Sequence, residues 1–325
     1  MSAEVATAGA PAGGGAAPGG KSGLSTKAKV LIGLGVYLAL TILMVLIFGS
    51  SGKNEHFQPQ NEFKLEPWIS IHVAGIDMSI NKAVLYLFLA AGFTCWAMVA
   101  IARRMQAKPN KVQMAVEVAY DVVDGQIARD NLDTKMAAKW FPFLGALFFF
   151  ILFSNFIGLI PLPTNTEHPI NIFGVDVPSF ALYAATANIS IPLVLTLVVW
   201  IGYNLEGIRT HGFFKYFKTW LPAGIEDMPG AFKAFVFGIE VISHTVRLVS
   251  LSVRLFANIL AGHLLLLFMG GGLAVLLGIS ALGILTFPMA FAFYVFEIVI
   301  VAGLQAFIFA ILTAIYLGGA TSESH

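Results

Sequence analysis

Residues 231–269 read AFKAFVFGIEVISHTVRLVSLSVRLFANILAGHLLLLFM. The stretch is apolar enough to cross a bilayer, which takes about 20 residues. Yet Glu240, His244, Arg247, Arg254 and His263 interrupt it. Ionisable side chains inside a span are costly and mark functional positions. At about 100° per residue, with Glu240 at zero, His244 falls at about +40°, Arg247 at about −20°, Arg254 at about −40° and Asn258 at about 0°. They share a stripe about 80° wide and about 27 Å long, close to the hydrocarbon thickness. Ser243 and Ser250 widen it on one side. His263, at about +140°, faces elsewhere on an unkinked helix. Glu240 and Arg247 sit near one end and have the alternative of snorkelling to the interface. Arg254 lies too deep for that. It stays charged, and no acidic residue stands three or four positions away. Its partner is either Glu297 or a group on another chain.

Composition agrees with a membrane protein. Of 325 residues, 58% are hydrophobic and 11% charged, against about 25% charged in soluble domains. The mean hydropathy is +0.82. A net charge of +1 leaves nucleic-acid binding without an electrostatic footing. The single cysteine, Cys95, excludes an intrachain disulfide and a thiolate metal site.

Charge-free runs of about 20 residues lie at Val30–Gly49, Ala83–Ala102, Trp140–Leu162 and Ser179–Tyr203. Two longer apolar stretches follow, 231–269 and Leu273–Leu317, separated by Gly270-Gly271-Gly272 as a tight connection. The expectation is an all-α polytopic protein with six crossings, the last two long and carrying the polar residues. Lys and Arg concentrate before the first run, in Arg103–Lys139 and in Arg209–Lys218. The positive-inside rule places these segments and both termini in the cytoplasm.

Residues 1–26 form an Ala/Gly-rich tail of a composition that stays disordered. Within it, Gly15 to Ser22 matches G-x-x-x-x-G-K-[ST]. A functional phosphate loop follows a strand and opens a soluble helix; this one does neither, so chance is the better account. Residues 27–50 read as an extra N-terminal membrane helix. The alternative is a cleaved signal peptide, leaving five crossings. Val112–Ile127 is an amphipathic helix, either lying on the cytoplasmic membrane surface or packed on the rest of the protein.

In the last stretch, Glu297 is the only charge and Gln305 the other strongly polar side chain. On a regular helix they differ by about 80° in heading and about 12 Å in height. Pro288 kinks the helix before them. A lone carboxylate near a lone histidine on the adjacent helix points to a proton relay, with a structural hydrogen bond as the plainer alternative. Asn155, Thr186, Asn188 and Ser190 either line a wet vestibule or bond between helices.

The run Ser250-Leu-Ser-Val-Arg254-Leu-Phe-Ala-Asn258-Ile-Leu-Ala-Gly262-His263 resembles the signature of subunit a of the F-type ATP synthase. So do Asn155-Phe-Ile-Gly-Leu-Ile-Pro161, Thr186-Ala-Asn188, and the run from Leu304-Gln305 to Thr313-Ala-Ile-Tyr316-Leu. The resemblance covers residues 65–320. It implies two half-channels for protons and a rotating c-subunit ring whose carboxylates Arg254 faces. It assigns Glu240 to the cytoplasmic half-channel, His263 and Glu297 to the other, and Asn258, Ser250 and Gln305 to polar positions near the arginine. It further implies b subunits of the peripheral stalk and the remaining synthase subunits as partners, beside the lipid bilayer. The location it implies is a bacterial inner membrane. No cofactor is expected, and the chain alone catalyses nothing, ATP chemistry belonging to other subunits. Protons are the expected coupling ion. One departure stands out: Glu297 and Gln305 are eight positions apart, where the resemblance implies seven.

The competing reading is a stand-alone transporter in which Arg254 binds an anionic substrate. Transporters often carry internal repeats, and here both charged helices lie at one end of the chain. A membrane-embedded hydrolase lacks its motifs: neither H-E-x-x-H nor G-x-S-x-G is present.

Overall fold

The computed structural model describes residues 25–322, apart from 49–62, 64, 66, 74–75, 78, 107, 173–174, 222–228 and 273–279. The Gly15–Ser22 run and nearly all of the N-terminal tail lie outside the described residues.

Among the described residues, five helices are long and apolar enough to cross a membrane, spanning Lys82–Arg103, Thr134–Gly158, Ser190–His211, Gly230–Gly270 and Leu285–Thr321. The first apolar run is also helical. It forms α1, Thr26–Phe48, which packs against α8, Ser280–Phe296.

The intervening helices begin and end on local signals. In α2, Lys82–Arg103, the Asn81 side chain accepts from the Val84 amide at 3.2 Å. Asn110 does the same for α3, Lys111–Asp121, accepting from the Gln113 amide at 2.8 Å. Such side chains satisfy amides that lack intrahelical partners. After α4, Thr134–Gly158, the chain forms an antiparallel hairpin, β3 (Leu162–Ile172) on β4 (Val175–Ala181). A two-residue pair, β1 (His72–Val73) on β2 (Ile76–Asp77), precedes α2. The helical membrane architecture is as expected, and the hairpins are additions to it in the connections. Because β4 runs to Ala181, α5 starts at Ser190 rather than at 179 and continues to His211. Gly212, at φ 81°, ends it; that left-handed conformation favours glycine. The short α6, Phe213–Thr219, follows.

The long α7, Gly230–Leu267, does not stop at the glycines. Phe268–Gly272 continue its coil as a wider π turn, so Gly270–Gly272 are helix rather than connection. Val112–Ile127 is likewise not one regular helix. After α3 the chain widens into a π turn at Val122–Arg129, which buries Val123, Ile127 and Ala128 in the core. Val112, Met114 and Val118 remain exposed on α3. The segment is therefore packed on the protein by its C-terminal half.

The centre of the bundle is α9, Ala302–Thr321, packed against α4 and α5. Ala302, Ala306, Ala310 and Ala314 form a row at i, i+4 spacing, each 0% exposed. Small residues in such a row let neighbouring helices approach closely. Leu144, Ile151, Val199, Leu251 and Leu255 complete the core. The outside is apolar too: Phe88, Trp96, Ile242, Phe287, Phe291 and Val299 are all more than 60% exposed. An apolar exterior around a packed interior suits lipid as the surrounding medium.

Candidate ion-path site

The far end of α7 holds a buried histidine and a buried carboxylate. His263 is 2% and Glu297 3% exposed. Nδ1 of His263 faces the Ile259 carbonyl of its own helix at 3.0 Å, and Nε2 faces the Gly158 carbonyl of α4 at 3.1 Å. Nδ1 also lies 3.4 Å from Oε1 of Glu297. That oxygen makes no hydrogen bond among the described residues. Both ring nitrogens thus face acceptors, and only a doubly protonated ring donates from both. Gly262 makes room for the arrangement, because a Cβ there would collide with the Glu297 carboxylate. A cavity of about 370 Å³ opens beside it, lined by Asn258, Gly262, Glu297 and Gln305.

The sequence left the facing of Glu297 and Gln305 about 80° apart. The structure brings both to one cavity, with Gln305 only 5% exposed. Pro288 lies within α8, and the irregularity falls after it, as a π turn at Glu297–Val301 that joins α8 to α9.

The near end of α7 is built differently. Oε1 of Glu240 lies 3.7 Å from Nε2 of His244 and 3.6 Å from the Arg247 guanidinium. His244 is buried, bonded through Nδ1 to the Tyr203 hydroxyl at 3.0 Å. The Trp220 ring stacks on it at 4.0 Å between centroids, and Arg247 lies over the Tyr316 ring at 5.6 Å. A cavity of about 510 Å³ is bounded by Tyr216, Trp220, Glu240, His244, Arg247 and Tyr316. Burial pushes the Tyr216 phenol up from its ordinary value, which suits a neutral donor, and it donates to Asn204 at 2.9 Å.

Between the ends, Ser250, Arg254 and Asn258 are exposed on one face of α7. Arg254 has no ion pair or hydrogen bond among the described residues. Glu297 lies against His263 instead, so Arg254 finds no partner on the last helix. Along the axis it is about 21 Å from Glu240 and about 14 Å from His263.

Two of the quieter polar groups tie the bundle together. Thr186 donates to Asn155 at 2.9 Å, both buried, and Asn155 reaches the Ala302 carbonyl at 3.5 Å. Asn188 accepts from the Ser190 amide at 3.0 Å, at the start of α5. Trp220, Tyr203 and Glu206 did not stand out in the sequence. Trp220 and Tyr203 reach His244 only through folding, and no local pattern marks them. Glu206 lies beyond the expected end of the fourth span. In the structure it is inside α5, 3% exposed and paired with Lys139 of α4.

An apolar-faced helical bundle with charged side chains on two cavities at opposite ends of one helix defines a multi-pass membrane protein built to handle ions. Residues 84–318 match the family described as ATP synthase A chain. A protein from Rubrobacter xylanophilus named ATP synthase subunit a is 35% identical over 257 residues, covering 78% of this chain and 88% of the relative. One of the same name from Frankia alni is 35% identical, over 80% of this chain and 84% of its own. Another, from Rhodospirillum rubrum, is 32% identical, over 81% of this chain and 97% of its own. The chain belongs to the ATP synthase A chain family. It is a non-catalytic, proton-translocating membrane component of that complex.

Proposed function

We propose that this chain is the stationary half of a rotary proton path. The cavity at Glu240, His244 and Arg247 serves as the cytoplasmic half-channel, and the cavity at Asn258, Glu297 and Gln305 as the half-channel to the opposite side. The exposed face of Ser250, Arg254 and Asn258 packs against a ring of c subunits, whose membrane carboxylates supply the partner that Arg254 lacks here. The observation that carries this reading is Arg254 itself: exposed in mid-helix, unpaired among the described residues, and set between two cavities at opposite ends of α7.

The arrangement divides the work by position. A fixed cation at the surface of α7 attracts each passing carboxylate and opposes proton transfer directly between the cavities, since like charges repel. His263 accepts a proton and gains a second donor, and the adjacent Glu297 carboxylate balances the resulting charge. At the other end, Glu240 exchanges protons with a wider space, beside the fixed positive charge of Arg247.

In this reading the domain of residues 65–320 carries the function, and residues 27–50 add a retained membrane helix. The chain lies in a bacterial inner membrane with both ends cytoplasmic and contacts the b subunits of the peripheral stalk. Protons are the coupling ion, which suits a His–Glu pair. Replacing Arg254→Ala is expected to abolish proton-driven ATP synthesis in membrane vesicles while the complex still assembles. Normal coupled synthesis in that variant would overturn the reading.

A further inference from the structure

We propose that the π turn at Glu297–Val301 is a register device that places Glu297 and Gln305 on the same cavity. The inference rests on the proton-path reading for its functional meaning, but its geometry stands separately. The two residues are eight positions apart, a spacing that separates their headings by about 80° on an uninterrupted α-helix. Yet both are buried, at 3% and 5% exposure, and both line the cavity that Asn258 and Gly262 bound from α7.

The π turn resolves the conflict. The Ala302 amide bonds to the Glu297 carbonyl, five residues back rather than four. That one wider turn absorbs one extra residue, which takes back about 100° and leaves the two headings about 20° apart. The surplus is carried on the outer surface, where Val299 is 69% and Ile300 47% exposed. The result depends on facing, because the Glu297 carboxylate fits only over Gly262, where no Cβ stands in its way. Rotating Glu297 by one step would take it off Gly262 and away from His263.

Deleting and inserting residues in the turn tests this. Deletion of Val299 leaves a spacing of seven, which an unbroken α-helix converts to about −20°. The variant is expected to keep proton-driven ATP synthesis within about twofold of the parent, since the flanking turns keep their headings. Inserting one alanine after Val299 misplaces Glu297 and is expected to lower synthesis on the order of 100-fold. Facing is read independently by a cysteine pair, Gly262→Cys with Glu297→Cys, in a Cys95→Ser background; Cys95 is the chain's one cysteine. In the membrane-embedded complex the pair is expected to form a disulfide in the parent length and with Val299 deleted, but not with the alanine inserted. Loss of both disulfide and synthesis on deletion, or retention of both on insertion, would overturn the inference. Where a length variant does not assemble, the disulfide in the membrane-inserted chain decides alone. Arg254→Ala separates the two ideas. Normal synthesis there defeats the proton path and leaves the disulfide pattern as the measure of register.

Discussion

The two ends of α7 use the same residue types to opposite effect. At the far end, a glutamate and a histidine are almost wholly buried, at 3% and 2% exposure, and the glutamate sits over a glycine. At the near end, Glu240 is 29% exposed by side chain, and its partners Arg247 and His244 border a wider, aromatic-walled cavity. Low-dielectric surroundings make position decisive, because an unpaired buried charge is expensive. In a wetter site, water can replace a lost partner. The far end should therefore be intolerant of small changes and the near end forgiving.

Several substitutions sharpen or break that contrast. Glu297→Gln removes the proton-carrying group and is expected to lower proton-driven ATP synthesis about 100-fold, in line with the loss of an acid–base group. Gly262→Ala keeps every titratable group but pushes the Glu297 carboxylate aside. About a tenfold loss is expected from that misplacement, and parental rates would show that the carboxylate relocates freely. Glu240→Gln is expected to cost only a few-fold, about twofold to fivefold, because water shares its role. If it cost as much as Glu297→Gln, the contrast between the ends would fail. Tyr203→Phe has the smallest effect, removing one buried hydrogen bond to His244 at about 1 kcal/mol, seen as a lower melting temperature of the detergent-solubilised complex with synthesis unchanged.

Much of the fold was legible because hydrocarbon imposes a length and a charge rule on every span. Ala83–Ala102 against α2, Lys82–Arg103, differs by a residue at each end. The fourth span was misplaced for a physical reason. Ser179, Phe180 and Ala181 are as apolar as a helix start, but they pair with Asn165, Pro163 and Leu162 of β3 across a hairpin. Pairing between strands is not encoded in local hydropathy. The shift hid Glu206, whose burial depends on Lys139 from α4.

At the candidate site, the charged stripe of α7 was readable from spacing alone, since a helix converts sequence interval into heading. Which part of the stripe is covered was not. His244 is buried by Tyr203 and Trp220, whereas Arg254 and Asn258 are exposed, although all lie within about 80° of one another.

The sequence by itself determined the class of environment, the scarcity of charge within the spans and the identity of the polar residues on the last two stretches. These follow from residue type and from regular helical rotation. Tertiary structure alone decided which groups meet. It set Glu297 over Gly262, stacked Trp220 on His244 and left Arg254 open. The widened turn at Glu297–Val301 shows why: one hydrogen bond to the fifth residue back instead of the fourth rotates all that precedes it. A π turn is rare on local preference alone, so packing of this segment against α7 favours it here.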